Sequence, residues 1–133
     1  MVFEQINVGA ILLAAVVKFI LGGCWYSSVL FGNLWLREVG QSKDTLVASP
    51  RPLLLAAGLS LVTAFTLAII ISLADLDFMK SVALGCLMGV GILAAMVGPQ
   101  FAFEGRSFRL YVIYAGEYVV TLAVMAAIIG GWR

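Results

Sequence analysis

Four long apolar runs, separated by short polar stretches, set the pattern of this chain. The first extends from about Ile6 to Tyr26, the second from Leu53 to Leu73, the third from Ser81 to Gly98 and the fourth from Phe108 to Ile129. Each comes close to the roughly 20 apolar residues that a helix needs to cross a bilayer. The pattern predicts an all-α integral membrane protein forming a single domain over residues 1–133, with four transmembrane helices in an antiparallel bundle.

The connections differ in character. After the first run, "SSVLFGNLWLREVGQSKDTLVASPRP" is apolar on one side from about Val29 to Val39 and then meets Arg37 and Glu38. That predicts a short amphipathic helix lying in the interface, anchored by Trp35. "SPRP" punctuates the chain, and Pro52 suits the first turn of the next helix. "DLDFMK" is a tight turn, and in "GPQFAFEGRSFR" Pro99 and Gly105 are expected to break the third helix and turn the chain. Small residues recur every four positions as Ala56, Ser60, Ala64, Ala68 and Ser72, then as Ser81, Gly85 and Gly89, as Gly91 and Ala95, and as Ala123, Ala127 and Gly131. Such stripes let membrane helices approach closely, either within one bundle or against a second copy.

Composition agrees with membrane residence: 63% of the residues are hydrophobic and 11% are charged, against about 25% charged in a soluble domain. A net charge of +1 gives nucleic-acid binding no electrostatic footing. The start, "MVFEQINVGA", lacks the basic region of a signal peptide, so the first run is expected to be a retained helix. Cys24 and Cys86 fall at opposite depths, about 18 Å apart at helical rise, too far for a disulfide, and two free buried thiols are expected. Arg37, Lys43, Arg51, Arg106 and Arg109 lie on one side of the predicted membrane, and Lys80 and Arg133 on the other with Glu4, Asp75 and Asp77. The positive-inside rule then puts the long first loop and the "FEGRSFR" loop in the cytoplasm and both termini outside.

One lysine interrupts the first run, in "AAVVKFILGGCWY". An ionisable side chain at mid-membrane costs about 2.5–3.5 kcal/mol on insertion scales and usually faces a partner inside the protein. Glu117, in "YVIYAGEYVVTLAV", is the acidic residue deep in another helix. Lys18 lies twelve residues from Ile6, and Glu117 twelve from Ile129, so both fall at one level. The expectation is an intramembrane ion pair, Lys18 with Glu117, with Tyr114 and Thr121 on the same helix face satisfying the remaining lone pairs. Such a pair either pins helix association or acts as a proton or ion relay; a third possibility leaves Lys18 snorkelling and Glu117 facing a partner subunit.

A second constellation surrounds the last loop. In "FAFEGRSFR", Glu104, Gly105 and Arg106 form a turn among Phe101, Phe103 and Phe108, where Arg106 can return to Glu104 or take a lipid phosphate. Here the chain resembles a known family. "LGGCWYSSVLFGNLWL" matches a G-x-x-W-Y-S-x-x-x-F-G-x-x-W signature through Gly22, Trp25, Tyr26, Ser27, Phe31, Gly32 and Trp35. A later F-E-G-R signature is matched by Phe103, Glu104, Gly105 and Arg106. Both are similar to the domain of unknown function 1761 family, small bacterial membrane proteins of four predicted helices, which implies residence in the bacterial inner membrane but no activity. The resemblance implies that the W-Y-S and F-E-G-R elements meet at the cytoplasmic face, with Ser27 or Tyr26 bonding Glu104. Lys18 and Glu117 fall outside both signatures.

An enzyme is not expected. Histidine, the commonest general base, is missing from the sequence, and neither H-E-x-x-H nor G-x-S-x-G occurs. Asp75 and Asp77 are read as solvated rather than metal-binding, Trp25, Trp35 and Trp132 as interfacial anchors, and no cofactor or metal site is expected. Two functions remain. One is a structural or accessory subunit, packing through small-residue faces against copies of itself or a membrane complex. The other is a small homo-oligomeric transporter or channel using Lys18 and Glu117. The first is preferred from the sequence, partly because no helix shows the mid-depth break typical of transporters.

Overall fold

The protein was analysed as a computed structural model, which describes residues 6–27, 29–40 and 50–132. Glu4, Lys43 and Arg133, which enter the charge count above, lie outside the described residues. All regular structure among the described residues is helical. Four helices are long and apolar enough to cross a membrane: Val8–Trp25, Arg51–Leu73, Phe78–Glu104 and Phe108–Gly131.

Helix α1 (Val8–Trp25) starts at Asn7, whose side chain accepts from the Ala10 amide and thus satisfies one of the open donors of the first turn. The same side chain donates to the Trp132 carbonyl at 2.9 Å, tying the start of α1 to the far end of the chain. A short helix, α2 (Gly32–Val39), follows and stops at Gly40 in the left-handed conformation, φ 75°. Gly32 is required where α2 begins, because a Cβ there would lie 2.5 Å from the Ser27 carbonyl group. In helix α3 (Pro50–Leu73) the hydroxyls of Ser60, Thr63 and Thr66 each donate to the carbonyl four residues back.

The third span departs from expectation. It comprises α4 (Phe78–Met88), a π-helical segment (Gly89–Ala94) and α5 (Ala95–Glu104), and it runs through Pro99. The expected break at Pro99 is therefore corrected: the helix ends at Gly105, φ 68°. A proline in a regular helix loses one backbone donor and crowds the carbonyl four residues earlier. Here it follows one turn after the widened π segment, and the Ala94 carbonyl, five residues before Pro99, accepts the Tyr111 hydroxyl at 2.6 Å. A side chain from the next helix thus supplies a donor where proline has none. Asp77 caps α4 by accepting from the Lys80 amide at 2.8 Å, which gives one member of the acidic turn a structural role.

Helix α6 (Phe108–Gly131), capped by Ser107, is the element against which the others gather. It touches α1, α3 and the whole third span, and also receives α2. The closest approach is glycine-mediated. A Cβ at Gly85 would fall 2.5 Å from the Leu122 carbonyl oxygen, and one at Gly89 would fall 2.7 Å from the Val119 Cα. The Ser81–Gly85–Gly89 stripe is accordingly buried inside this molecule, as are Ser60, Ala64 and Ala68 of α3, whereas Gly91, Ala95 and Ala56 face outward. The core comprises Ala14, Ala15, Leu67, Ile71, Met125 and Ile129 with their neighbours. Cys24 and Cys86 are both free, but Cys24 is exposed rather than buried, because it lies on the outward side of α1.

The glycine contact makes a prediction. Gly85→Ala forces backbone against backbone and should cost about 2 kcal/mol, the middle of the overpacking range. Gly58→Ala, with open space around it, should fall within about 0.5 kcal/mol of wild type. Reversible denaturation in mixed micelles measures both; equal behaviour of the two variants would contradict the packing described.

Candidate functional site

Lys18 is the eleventh of the 18 residues of α1, and Glu117 the tenth of the 24 of α6, so each sits near the middle of its span. The two side chains, both half-buried, line the same two cavities. One, of about 330 Å³, opens between α1 and α3 and is bordered by Gly22, Gly23, Tyr26, Leu53, Ala56 and Ser60. The other, of about 190 Å³, is bordered by Thr63, Leu93, Tyr118, Thr121 and Leu122. Lys18 and Glu117 therefore stand between a cavity directed towards the α2 end of the molecule and one beneath the π segment.

They do not touch. No direct ion pair joins Lys18 to Glu117 among the described residues, which differs from the contact expected from the sequence. The Glu117 carboxylate instead lies beside Gly22, one turn from Lys18 on α1, where a Cβ would stand 3.9 Å from Oε1. Its hydrogen-bond partner is the Thr121 hydroxyl, donating at 3.4 Å. Tyr114 points elsewhere. Its hydroxyl accepts from Trp35 Nε1 at 3.1 Å, and no bond from it to Glu117 is present. The reason is directional: helical side chains lean towards the helix N-terminus. Thr121 thus reaches back to Glu117, while Tyr114 reaches away from it.

The two family motifs meet, but through α6 rather than directly. Trp25 Nε1 donates to the Ile113 carbonyl at 2.9 Å, and the Trp25 ring packs on Phe31 with centroids 4.7 Å apart. Tyr26 stacks on Trp35 at 4.9 Å and on Tyr114 at 6.0 Å. From the other side, the Arg106 guanidinium lies 4.2 Å from the Phe101 ring centroid and 5.6 Å from that of Tyr114, returning to Glu104 at 3.8 Å. Tyr114 is thus the shared element between Trp25-Tyr26-Ser27 and Glu104-Gly105-Arg106. The expected bond from Ser27 or Tyr26 to Glu104 is absent; the Ser27 hydroxyl donates to the Cys24 carbonyl at 2.7 Å and closes the end of α1. Trp25 and Trp35 are likewise bonded to α6, contacts that their reading as interfacial anchors did not include.

Several residues of this site were not anticipated. Tyr118, Thr63 and Leu93 border the cavities without any motif to mark them, and Ser60, marked only as part of a small-residue stripe, borders one as well. The π segment carries a sequence trace in "GVG" at residues 89–91, and π turns recur at functional sites because the widened turn re-aims side chains. Among the described residues no cluster of three potential metal ligands occurs.

Tyr114→Phe removes the acceptor of Trp35 and keeps the ring. It should cost about 1 kcal/mol, as membrane hydrogen bonds do, and should raise hydrogen exchange selectively over Gly32–Val39. Unchanged exchange in α2 would contradict the docking role given to this hydroxyl.

No curated protein and no solved structure matches the chain. A family model described as "Protein of unknown function (DUF1761)" matches residues 9–130, which takes in both motifs, the four spans but for Val8 and Gly131, and the Lys18–Glu117 level. The chain belongs to the domain of unknown function 1761 family.

Proposed function

We propose that this protein is a membrane-embedded carrier whose binding site is the Lys18–Glu117 level between α1, α3 and α6. The observation that carries the reading is the shared lining of two adjoining cavities by opposite charges that make no contact with each other. A pair that only pinned two helices would recover its desolvation cost by direct contact and hydrogen bonding. Here the charges border open space, and a polar occupant or a transferring proton supplies what they lack. The accessory-subunit reading loses weight because the Ser81–Gly85–Gly89 and Ser60–Ala64–Ala68 stripes pack within the molecule.

In this reading the four spans form an antiparallel bundle in the bacterial inner membrane, with both termini outside and α2 lying in the cytoplasmic interface. The π segment beside the site takes the part of the mid-depth irregularity that transporters use. The protein works without enzymatic chemistry, and a homo-oligomer places several such sites side by side.

Proteoliposomes with an entrapped pH dye test the proposal. Wild-type protein should dissipate an imposed pH gradient faster than empty vesicles, and Glu117→Gln or Lys18→Met should each cut that excess about tenfold or more. Lys80→Gln, at an exposed position far from the site, should leave it unchanged. A wild-type rate equal to that of empty vesicles, or one indifferent to both site substitutions, would sink the carrier reading.

A further inference from the structure

The charged cavity does not stand alone. A second cleft, of about 330 Å³, continues along the same seam between α1 and α3 and is lined by Leu12, Ala15, Val16, Phe19, Ala57 and Leu61. Its lining is wholly apolar, and it shares Phe19 with the cavity of Lys18 and Glu117. On α1 the apolar cleft covers positions 12–19 and the charged cavity begins at Lys18; on α3 the cleft takes Ala57 and Leu61 and the charged cavity Leu53, Ala56 and Ser60. The two border the same pair of helices and meet at Phe19.

That seam opens sideways. Every residue of α3 from Arg51 to Leu59 is exposed, and burial of that helix begins at Ser60. Leu12, Val16, Phe19 and Leu61 are each between 40% and 54% exposed, so the apolar stretch faces what surrounds the protein. In a bilayer that surrounding is acyl chain. An alkyl chain fits the apolar stretch without exposing polar atoms. The adjoining Lys18 and Glu117 lie at a depth where the head groups of ordinary bilayer lipids do not reach.

The charge arrangement narrows the head group. A purely anionic head would satisfy Lys18 and stand beside the Glu117 carboxylate; a purely cationic head would do the reverse. Either leaves a like charge buried nearby, an arrangement that costs binding and gives specificity against it. A head group bearing both an ammonium and an anionic group pairs each charge, with its ammonium on Glu117 and its anion on Lys18. We propose, resting on the carrier reading above, that the ligand of this site is a zwitterionic single-chain amphiphile, with its head between Lys18 and Glu117 and its chain in the Leu12–Leu61 cleft.

Native mass spectrometry of the detergent-released protein, with three probes of matched chain length, tests this. Lysophosphatidylethanolamine should bind about tenfold or more tightly than lysophosphatidylglycerol or monoacylglycerol, a difference that corresponds to about 1.4 kcal/mol. Lys18→Met and Glu117→Gln should each erase the preference. Ala57→Phe, which fills the chain cleft outside the charged cavity, should weaken lysophosphatidylethanolamine about tenfold. Head group alone, as phosphoethanolamine, should compete only at far higher concentration.

Equal binding of the three lysolipids overturns the inference. So does phosphoethanolamine binding as tightly as the lipid with Ala57→Phe silent, which would make the solute a water-soluble zwitterion. In both cases the carrier reading survives if flux still depends on Lys18 and Glu117; loss of that dependence, with the lipid preference retained, would instead separate binding from transport.

Discussion

Between Gly85 of α4 and Leu122 of α6, two backbones come within the reach of a single missing methyl group, and much of the remaining structure depends on that approach. Lipid offers helices no hydrophobic drive to associate, so contact area and close packing must supply the attraction. With Gly85 and Gly89 the third span lies flat on α6, and α6 then holds a fixed place against α1 and α3. The elements at the α2 end are tied to the same helix: Trp25 through the Ile113 carbonyl, Trp35 through Tyr114, Arg106 over the Tyr114 ring. Glu117 is carried one turn deeper on that helix. Its position facing Gly22 follows from how α6 is clamped, without a direct ion pair to Lys18.

Much of this was legible in the sequence, and the reasons are physical. A bilayer requires about 20 apolar residues per span and every backbone polar group bonded within it, so run length alone locates helices. The level of Lys18 and Glu117 follows from counting residues along such helices, since rise per residue is fixed. What counting cannot supply is azimuth and side-chain lean. Tyr114, Glu117 and Thr121 share a face by spacing, yet only Thr121 serves Glu117 because side chains lean towards the helix N-terminus. Pro99 misled for a related reason. Its effect on a helix depends on whether another group serves the freed carbonyls, and Tyr111 belongs to the following span.

The tryptophans teach the same point at the membrane rim. Spacing near span ends suggests rings resting at the interface, and polarity at one tip supports it. In the fold, however, Trp25 and Trp35 turn their indole N–H groups inward to α6. The Ile113 carbonyl has two lone pairs, so it can accept from Trp25 while remaining in the helix ladder. The F-E-G-R turn is then held by aromatic faces, not by a carboxylate bond to Ser27. Ring contacts of this kind leave no mark in spacing, because the rings come from residues 26, 35, 101 and 114.

Gly22 gives the last step. With no side chain, it leaves the Glu117 carboxylate facing open space between α1 and α3 where another residue would have filled part of it. Every residue of the first half of α3, "RPLLLAAGL", is exposed, so although Leu53 and Ala56 border that space they leave its flank open. Closing it would have been simple: a larger residue at Gly22 or Ala56 and an apolar one at position 117 would remove both the gap and the cost of the charge. Instead two charges, each expensive in a membrane, stand at one level beside two cavities, with Thr121 the one hydrogen-bond partner of the acid among the described residues. A fold that needed only to be stable gains nothing from that arrangement. In the carrier reading proposed above, a site that admits a polar head group from the side and releases it again requires charges without a direct ion pair, room beside them, and a flank of the protein left open to lipid.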